Sequence, residues 1–427
     1  MKLKTAFIFA FLTLFTGILV SCDNDNGNNP VICPPAQPQP DEEETEKPTD
    51  FKYIELTSAQ RDANASTQKF AYDMLRKSVE QANLIDPDGN VFISPLGFSN
   101  ILTMLANGAD NETLEEITAA LGANLDNLNS FYSLLADVLP QADNQVKFST
   151  VNSLWVDEKF NPAEDYMNFL YCNFNADSFK VNLNTNETKE AINQWCADKT
   201  KGMIPQFLKE PLSDCQMFLV NALYFNGKWH APFDAEKTDL GKFFSSNGKT
   251  SEVEMMHGVD GVEYNRLSKG ELVTLFYGNK TYAFNIYLPT EGISIEEVLA
   301  SSDRYMGTTH GDRACYLTLP KFELQYENDK LKDIGEQMGI SRLFTTHGSL
   351  SKIADDLYCG FMKQVAKIKV NEAGAEAAAV TGAGVFNSTG EIISHEPVTV
   401  NVNRPFIFSI TETTHDIILF AGMVRNL

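Results

Sequence analysis

The chain has 427 residues, 43% hydrophobic and 11% aromatic, with 34 basic against 57 acidic side chains and a net charge of -23. That length and apolar content support a large buried core, and the charge excludes a nucleic-acid role, because phosphate binding needs a concentrated cationic surface.

The first element is a targeting segment over residues 1–21, with Lys2 and Lys4 ahead of an apolar run from Ala6 to Val20 that is too short to span a membrane comfortably. Its ending, Leu19-Val20-Ser21-Cys22, looks like a bacterial lipobox, which makes Cys22 the expected lipidated N-terminus. Attachment to the membrane would then come from acyl chains alone. Residues 22–52, rich in Asn, Pro and acids, read as a disordered tether. An acidic stretch directly after such a cysteine resembles the export signals of surface lipoproteins in the Bacteroidetes group, so the expected location is the outer membrane, facing outward.

The folded domain is placed at 53–427. Thr67 to Gln81 carries Phe70, Met74, Leu75 and Val79 at helical spacing. Asn90-Val91-Phe92-Ile93-Ser94-Pro95-Leu96 then enters a weakly polar helix, with Ser94 as cap and Pro95 in the first turn. Gly108 to Ile117 reads as a loop and helix start, and Val151-Asn152-Ser153-Leu154-Trp155-Val156 as a strand. Ala191 to Ile204 is a helix ending on basic residues and glycine. Leu219-Val220-Asn221-Ala222-Leu223-Tyr224-Phe225-Asn226-Gly227-Lys228-Trp229 alternates as a buried strand. Phe284 to Pro289, Leu317 to Phe322, Leu331 to Phe344, Asn403 to Phe408 and Ile418 to Val424 continue as strands and amphipathic helix.

Near the C-terminus lies Asn371-Glu372-Ala373-Gly374-Ala375-Glu376-Ala377-Ala378-Ala379-Val380-Thr381-Gly382-Ala383-Gly384-Val385-Phe386-Asn387-Ser388-Thr389. Glycine weakens both helix and strand here, and alanine is a poor strand former, so a flexible surface loop is one reading. Written as an extended chain, one face carries only small uncharged residues from Ala373 to Ala383, and the lone carboxylate of Glu376 falls on the other. The segment is therefore also compatible with a buried central strand.

At these residues the chain resembles the serpins, inhibitors of serine and cysteine proteases that act by inserting a cleaved loop. The landmarks above follow that family in order from about residue 58 to 427. The resemblance implies an α+β fold: a large mixed central sheet, smaller sheets, about eight or nine helices, and an exposed reactive loop at about 371–397. It assigns Glu372, Gly374, Ala375, Glu376, Ala377, Ala378, Ala379 and Thr381 to the loop's hinge. Ser94, Asn221, Trp229 and Gln364 fall at the shutter and breach, where the main sheet opens. Val385, Phe386, Asn387 and Gly390 belong to the bait, with Ser388 and Thr389 flanking the expected scissile bond. Two departures stand out: Gly97 where a second serine is common, and Gln364 where many members have histidine.

The implied partner is a serine protease, with papain-like cysteine proteases also fitting. No Lys or Arg occurs between Lys369 and Arg404, which argues against a trypsin-like target and for elastase-, subtilisin- or chymotrypsin-like ones. None occurs between Lys77 and Lys147 either, so no heparin-like activator is expected. A non-inhibitory surface binding protein on the same fold is the alternative; bulky or charged residues on the inserting face would favour it. No metal-type Cys or His spacing, G-x-S-x-G elbow or glycine-rich phosphate loop is present. The expectation is therefore no enzyme, no cofactor, no metal and a monomer. Apart from Cys22, most of the cysteines lie in apolar runs and are expected to be buried free thiols.

Overall fold

The computed structural model describes residues 49–213, 215–258, 262–311, 315–345, 350–354, 357–359, 361–375 and 398–427. They belong to one compact unit, Gln39–Leu427. The lipobox cysteine, most of the tether, hinge residues Glu376 to Thr381, and the bait with its expected scissile bond lie outside the described residues.

In chain order the elements are α1 (Ser58–Ile85), β1 (Val91–Ile93), α2 (Pro95–Gly108), α3 (Asn111–Leu121), α4 (Leu125–Val138), β2 (Val146–Asp157), α5 (Glu164–Phe174), β3 (Ala176–Val181), α6 (Asn186–Lys199) and β4 (Met217–Lys228). There follow β5 (Asp239–Phe244), β6 (Thr250–His257), β7 (Glu263–Arg266), β8 (Gly270–Tyr277), β9 (Tyr282–Pro289), α7 (Ile295–Leu299), β10 (Cys315–Pro320) and β11 (Phe322–Asn328). The chain closes with α8 (Leu331–Gln337), β12 (Gln364–Asn371), β13 (Gly374–Ala375), β14 (Val398–Asn401), β15 (Phe406–Glu412) and β16 (Ile417–Val424). Eight α-helices and three sheets among the described residues agree with the α+β expectation.

Local chemistry explains the boundaries. α1 begins nine residues before the apolar pattern does, because Thr57 and Gln60 form a reciprocal capping box, and its predicted inward residues Phe70, Met74, Leu75 and Val79 are buried. α2 starts at Pro95 behind Ser94, whose hydroxyl accepts from the Gly97 amide, and every residue except Asn107 is buried. α8 stops short of the expected Phe344: at Gly339 the chain turns with φ +93, and a single 3₁₀ turn over Arg342–Phe344 follows. Thr49 is already engaged with the domain through its amide on Asn144 Oδ1, 3.1 Å, so packing reaches slightly upstream of residue 53.

One six-stranded sheet runs β1-β16-β15-β9-β8-β7, and a four-stranded sheet runs β14-β10-β6-β5. The other six-stranded sheet runs β11-β12-β13-β4-β2-β3 and carries the site. Among the described residues, only β2 with β3, and β10 with β14, pair in parallel. The main core lies between the sheets and α2, and a second cluster around Trp155, Ile192, Trp195 and Phe218 packs α6 on the opposite face of β4 and β2.

The expectation of free thiols needs one correction. Cys196, Cys215, Cys315 and Cys359 are free, but Cys172 is disulfide-bonded. Tyr171 beside it is 57% exposed, so this stretch of α5 lies at the surface, where an apolar sequence neighbourhood does not imply burial.

Candidate functional site

Two clusters hold the site-bearing sheet, the first of them at its middle. The Gln364 side chain, first in β12, grips the main chain of Ser94: Oε1 accepts the Ser94 amide and Nε2 donates to the Ser94 carbonyl, each at 2.9 Å. Ser94 Oγ donates to the Leu419 carbonyl at 2.7 Å, so one residue joins α2, β12 and β16. A primary amide is the side chain that supplies donor and acceptor side by side for such a pair. Glycine at 97 also finds a reason here. A Cβ there would stand 2.5 Å from Asn221 Oδ1 and 2.7 Å from Leu223 Cδ1, so the missing side chain is the space that Asn221 and Leu223 occupy.

Asn221 on β4 donates to Asn152 Oδ1 at 2.8 Å and to Thr150 Oγ1 at 3.2 Å, both on the neighbouring β2. Asn152 in turn donates to the Phe174 carbonyl at the end of α5, 2.8 Å away. Asn221 Oδ1 is buried without a hydrogen-bond partner among the described residues. The sequence analysis placed Asn152 in a strand without giving it a role at the site.

The second cluster sits at the end of the sheet where the hinge begins. Trp229 is buried, stacks on Tyr277 with ring centroids 4.4 Å apart, and donates its indole N–H to the Asn371 carbonyl at 2.8 Å. The Trp229 and Phe233 amides donate to the carbonyls of Ala373 and Glu372, both at 2.9 Å. Asn371 Oδ1 accepts the amides of Ala373 and Gly374, which folds the chain back as a tight turn. The Glu372 carboxylate receives Thr238 Oγ1 at 2.9 Å and lies 3.2 Å from Lys321 Nζ, which also reaches Glu254. Partial burial pushes the Glu372 carboxyl up, but its hydrogen bonds and Lys321 outweigh this and hold it below the usual carboxylate range. Lys321, Thr238 and Glu254 are far from the hinge in sequence and were not foreseen.

After the turn, Gly374 and Ala375 form β13, the one point among the described residues at which β12 and β4 are bridged. Ala375 pairs with Val370 on one side and Gly227 on the other; Gly374 pairs with Asn371 and Lys228. Gly374 has φ +154, and a Cβ there would fall far inside contact distance of the Gly227 carbonyl. Below this bridge, no described residue pairs with the facing edges of β12 and β4. The structure thus brings Ser94, Gly97, Asn221 and Gln364 together in one cluster, and Glu372, Gly374 and Ala375 with Trp229 in the other. No cluster of His, Cys, Asp and Glu suited to a metal occurs among the described residues, and none of their helices is long and apolar enough to cross a membrane.

Comparison with known proteins falls on the same segment of chain. The family described as serpin (serine protease inhibitor) matches residues 65–427. A serine protease inhibitor of Cyanea capillata is 33% identical over 371 residues, covering 81% of this chain and 95% of that protein. The structure of tengpin, a thermophilic serpin in its native state, superposes with a TM-score of 0.73 at 27% identity, covering 90% of this chain and 98% of tengpin. Thyroxine-binding globulin in complex with thyroxine shares the fold at a TM-score of 0.71 and 24% identity, over 86% of this chain and 98% of its own. A family match across most of the chain, in the order of the landmarks that build both clusters, shows that the protein belongs to the serpin family.

Proposed function

We propose that this chain inhibits a protease as a suicide substrate and is not itself an enzyme. The observation that carries the proposal is the two-residue strand β13 wedged between β12 and β4, whose facing edges below it pair with no other described residue. Continued in the same register, residues 376–381 would meet 369–364 of β12, and residues 376–385 would meet 226–217 of β4. Odd-numbered residues from Ala377 to Ala383 would then share the α2 side with Ile368, Ala366, Phe225 and Leu223, the face turned to the main core. Glu376 would stand opposite Lys369, on the outer side. Ten newly paired residues, at roughly 0.5–1.5 kcal/mol per net hydrogen bond, yield on the order of 10 kcal/mol before burial is counted. That is enough to distort a protease held on the cut loop as an acyl-enzyme.

The bait is Val385 to Gly390 and the preferred bond Ser388–Thr389, offered to an elastase-, subtilisin- or chymotrypsin-like protease, with papain-like cysteine proteases also served. The domain would stand on the outer face of the outer membrane through a lipidated Cys22. The alternative is a surface binding protein, since thyroxine-binding globulin shows the same fold holding a small molecule. The all-small inserting face favours the inhibitor.

The test is to incubate residues 39–427 with elastase, subtilisin, chymotrypsin and papain, followed by denaturing gels and intact-mass measurement. A denaturant-resistant adduct and a released C-terminal peptide, whose mass marks the cut, are expected. Clean cleavage by every protease without adduct, and without a gain in thermal stability, would refute the inhibitor reading and favour the binding protein.

A further inference from the structure

Two of the free thiols flank the end of the site-bearing sheet that lies away from the hinge. Cys215 stands two residues before β4 and Cys359 five residues before β12, the two strands that β13 holds apart at the other end. The segments around them are in direct contact. The Phe218 and Phe361 rings stack with centroids 5.7 Å apart, and Val365 of β12 shares an apolar cluster with Phe218, Val220 and Ala222 of β4. Lys209, in the connection from α6 to β4, reaches across to Glu327 of β11 at 2.9 Å. Cys215 Sγ donates to the Met217 carbonyl at 3.1 Å and Cys359 Sγ to the Phe361 carbonyl at 3.6 Å. The two sulfurs lie near enough for charge on one to act on the other: burial pushes the Cys359 thiol up to about 12, and the neighbouring Cys215 adds to the rise.

We propose that Cys215 and Cys359 are a redox modification site, joined reversibly by exchange with a small-molecule disulfide into a bond that pins this end of the sheet closed. The thiolate of one cysteine attacks a sulfur of the small disulfide and expels one thiolate; the second cysteine then attacks the mixed disulfide and expels the other. One S–S bond breaks and one forms, the small disulfide is reduced to two thiols, and the two cysteine protons pass to them. With the Cys359 thiol raised so far, little of it is thiolate at neutral pH and the exchange is slow. The bond therefore responds to a sustained change in the medium.

The position of the pair gives the bond a consequence, which rests on the inhibitor reading above, whereas its formation does not. A disulfide needs Cα atoms about 4.4–6.8 Å apart. Strands with another strand between them stand about 9.6 Å apart, twice the ordinary spacing, as β12 and β4 do on either side of β13. A strand inserted as far as the start of β4 would hold the two cysteine segments at that double spacing. The bond and such a strand exclude one another. Oxidised protein would stop insertion short and release the protease, and protein whose loop is already cut and fully inserted could not form the bond.

The full-length protein, held for hours in oxidised glutathione, quenched with N-ethylmaleimide and mapped by peptide mass, tests the site. A Cys215–Cys359 cross-linked peptide that disappears with dithiothreitol is expected. Alkylated Cys215 and Cys359, or either one left as a mixed disulfide with glutathione, would overturn the proposal. The oxidised and reduced forms are then titrated against the protease that forms an adduct. Oxidation should raise the moles of inhibitor consumed per protease several-fold and dithiothreitol should restore the value, while Cys215→Ala and Cys359→Ala should respond to neither. An unchanged value in protein that carries the cross-link refutes the lock, as does a cross-link that forms equally well after the loop is cut and the melting temperature has risen. Absence of any adduct in both forms refutes the inhibitor reading alone, since the mass map decides the bond without it.

Discussion

Replacing Gln364 by Glu tests the clamp on Ser94 with almost no change of shape. One carboxylate oxygen can still accept the Ser94 amide, but the other would face the Ser94 carbonyl at the 2.9 Å now spanned by Nε2, setting acceptor against acceptor. Ser94 is 2% and Gln364 9% exposed, so water cannot take over. An unpaired buried carbonyl costs about 1–3 kcal/mol and the ionised carboxylate adds to it, which puts the total near 3 kcal/mol. Protonation restores the donor, so this carboxyl should titrate about two units above its unfolded value of about 4.3, at 1.36 kcal/mol per unit. A pKa raised in the folded state means that stability is complete below the unfolded pKa and is lost as pH rises through the folded one, here between about pH 4 and 6.5. The assay is the unfolding rate in urea followed by tryptophan fluorescence, taken as the ratio of Gln364→Glu to wild type at each pH. A ratio near one at pH 4, rising to roughly 150-fold at pH 8, is expected. A flat ratio, or a large effect already at pH 4, would refute the clamp as described.

The hinge yields further expectations. Gly374→Ala cannot pair with β4 without moving off the Gly227 carbonyl, so β13 should leave the sheet and the protein should turn from inhibitor toward substrate, read as moles of inhibitor consumed per protease rising at least tenfold. Ala377→Arg should do the same by placing a cation on the inserting face, whereas a binding protein would tolerate it. Glu372→Gln should lower the melting temperature by about 1–2 °C at pH 7 in calorimetry at fixed scan rate, consistent with a partly exposed ion pair worth under about 1 kcal/mol. Because the Glu372 carboxyl sits below the ordinary range, its contribution is present above about pH 4.5 and the difference should vanish as pH falls toward 3. Burial pushes the Cys196 thiol up to about 12 and the Cys315 thiol to about 11, so neither should react with a disulfide reagent at pH 8 until the protein is unfolded, as read by thiol titration.

Much of the architecture was legible because the elements that build it leave local signals. Ser94 before Pro95 marks the start of α2, and the alternation from Leu219 to Trp229 marks β4, whatever surrounds them. α1 was read too short because an apolar period was followed and the capping pair Thr57 and Gln60 was overlooked. The hinge glycine and its small neighbours were visible, yet the partners that hold Glu372 are Thr238 in a turn and Lys321 between β10 and β11, itself paired with Glu254 of β6. Charges that meet only across a fold have no spacing to read. Gly97 and Gln364 looked like departures from a pattern; in space they are complementary, the glycine clearing room for Asn221 and the amide gripping both polar groups of Ser94. The disulfide at Cys172 was missed for a different reason, since apolar sequence neighbours say little about a residue on the outer turn of an amphipathic helix.

The strand order β1-β16-β15-β9-β8-β7 joins the first described strand to the last. Val91 pairs with Met423, and Arg425 closes the seam by donating to Asn83 and to the Pro87 carbonyl at the end of α1. The middle of that sheet is therefore empty until the final residues are made. A ribosome still holding residues 398–427 holds a chain that cannot finish its core. The core between β1 and β9 therefore closes only once β15 and β16 are free to pair, whatever the order in which the other elements form.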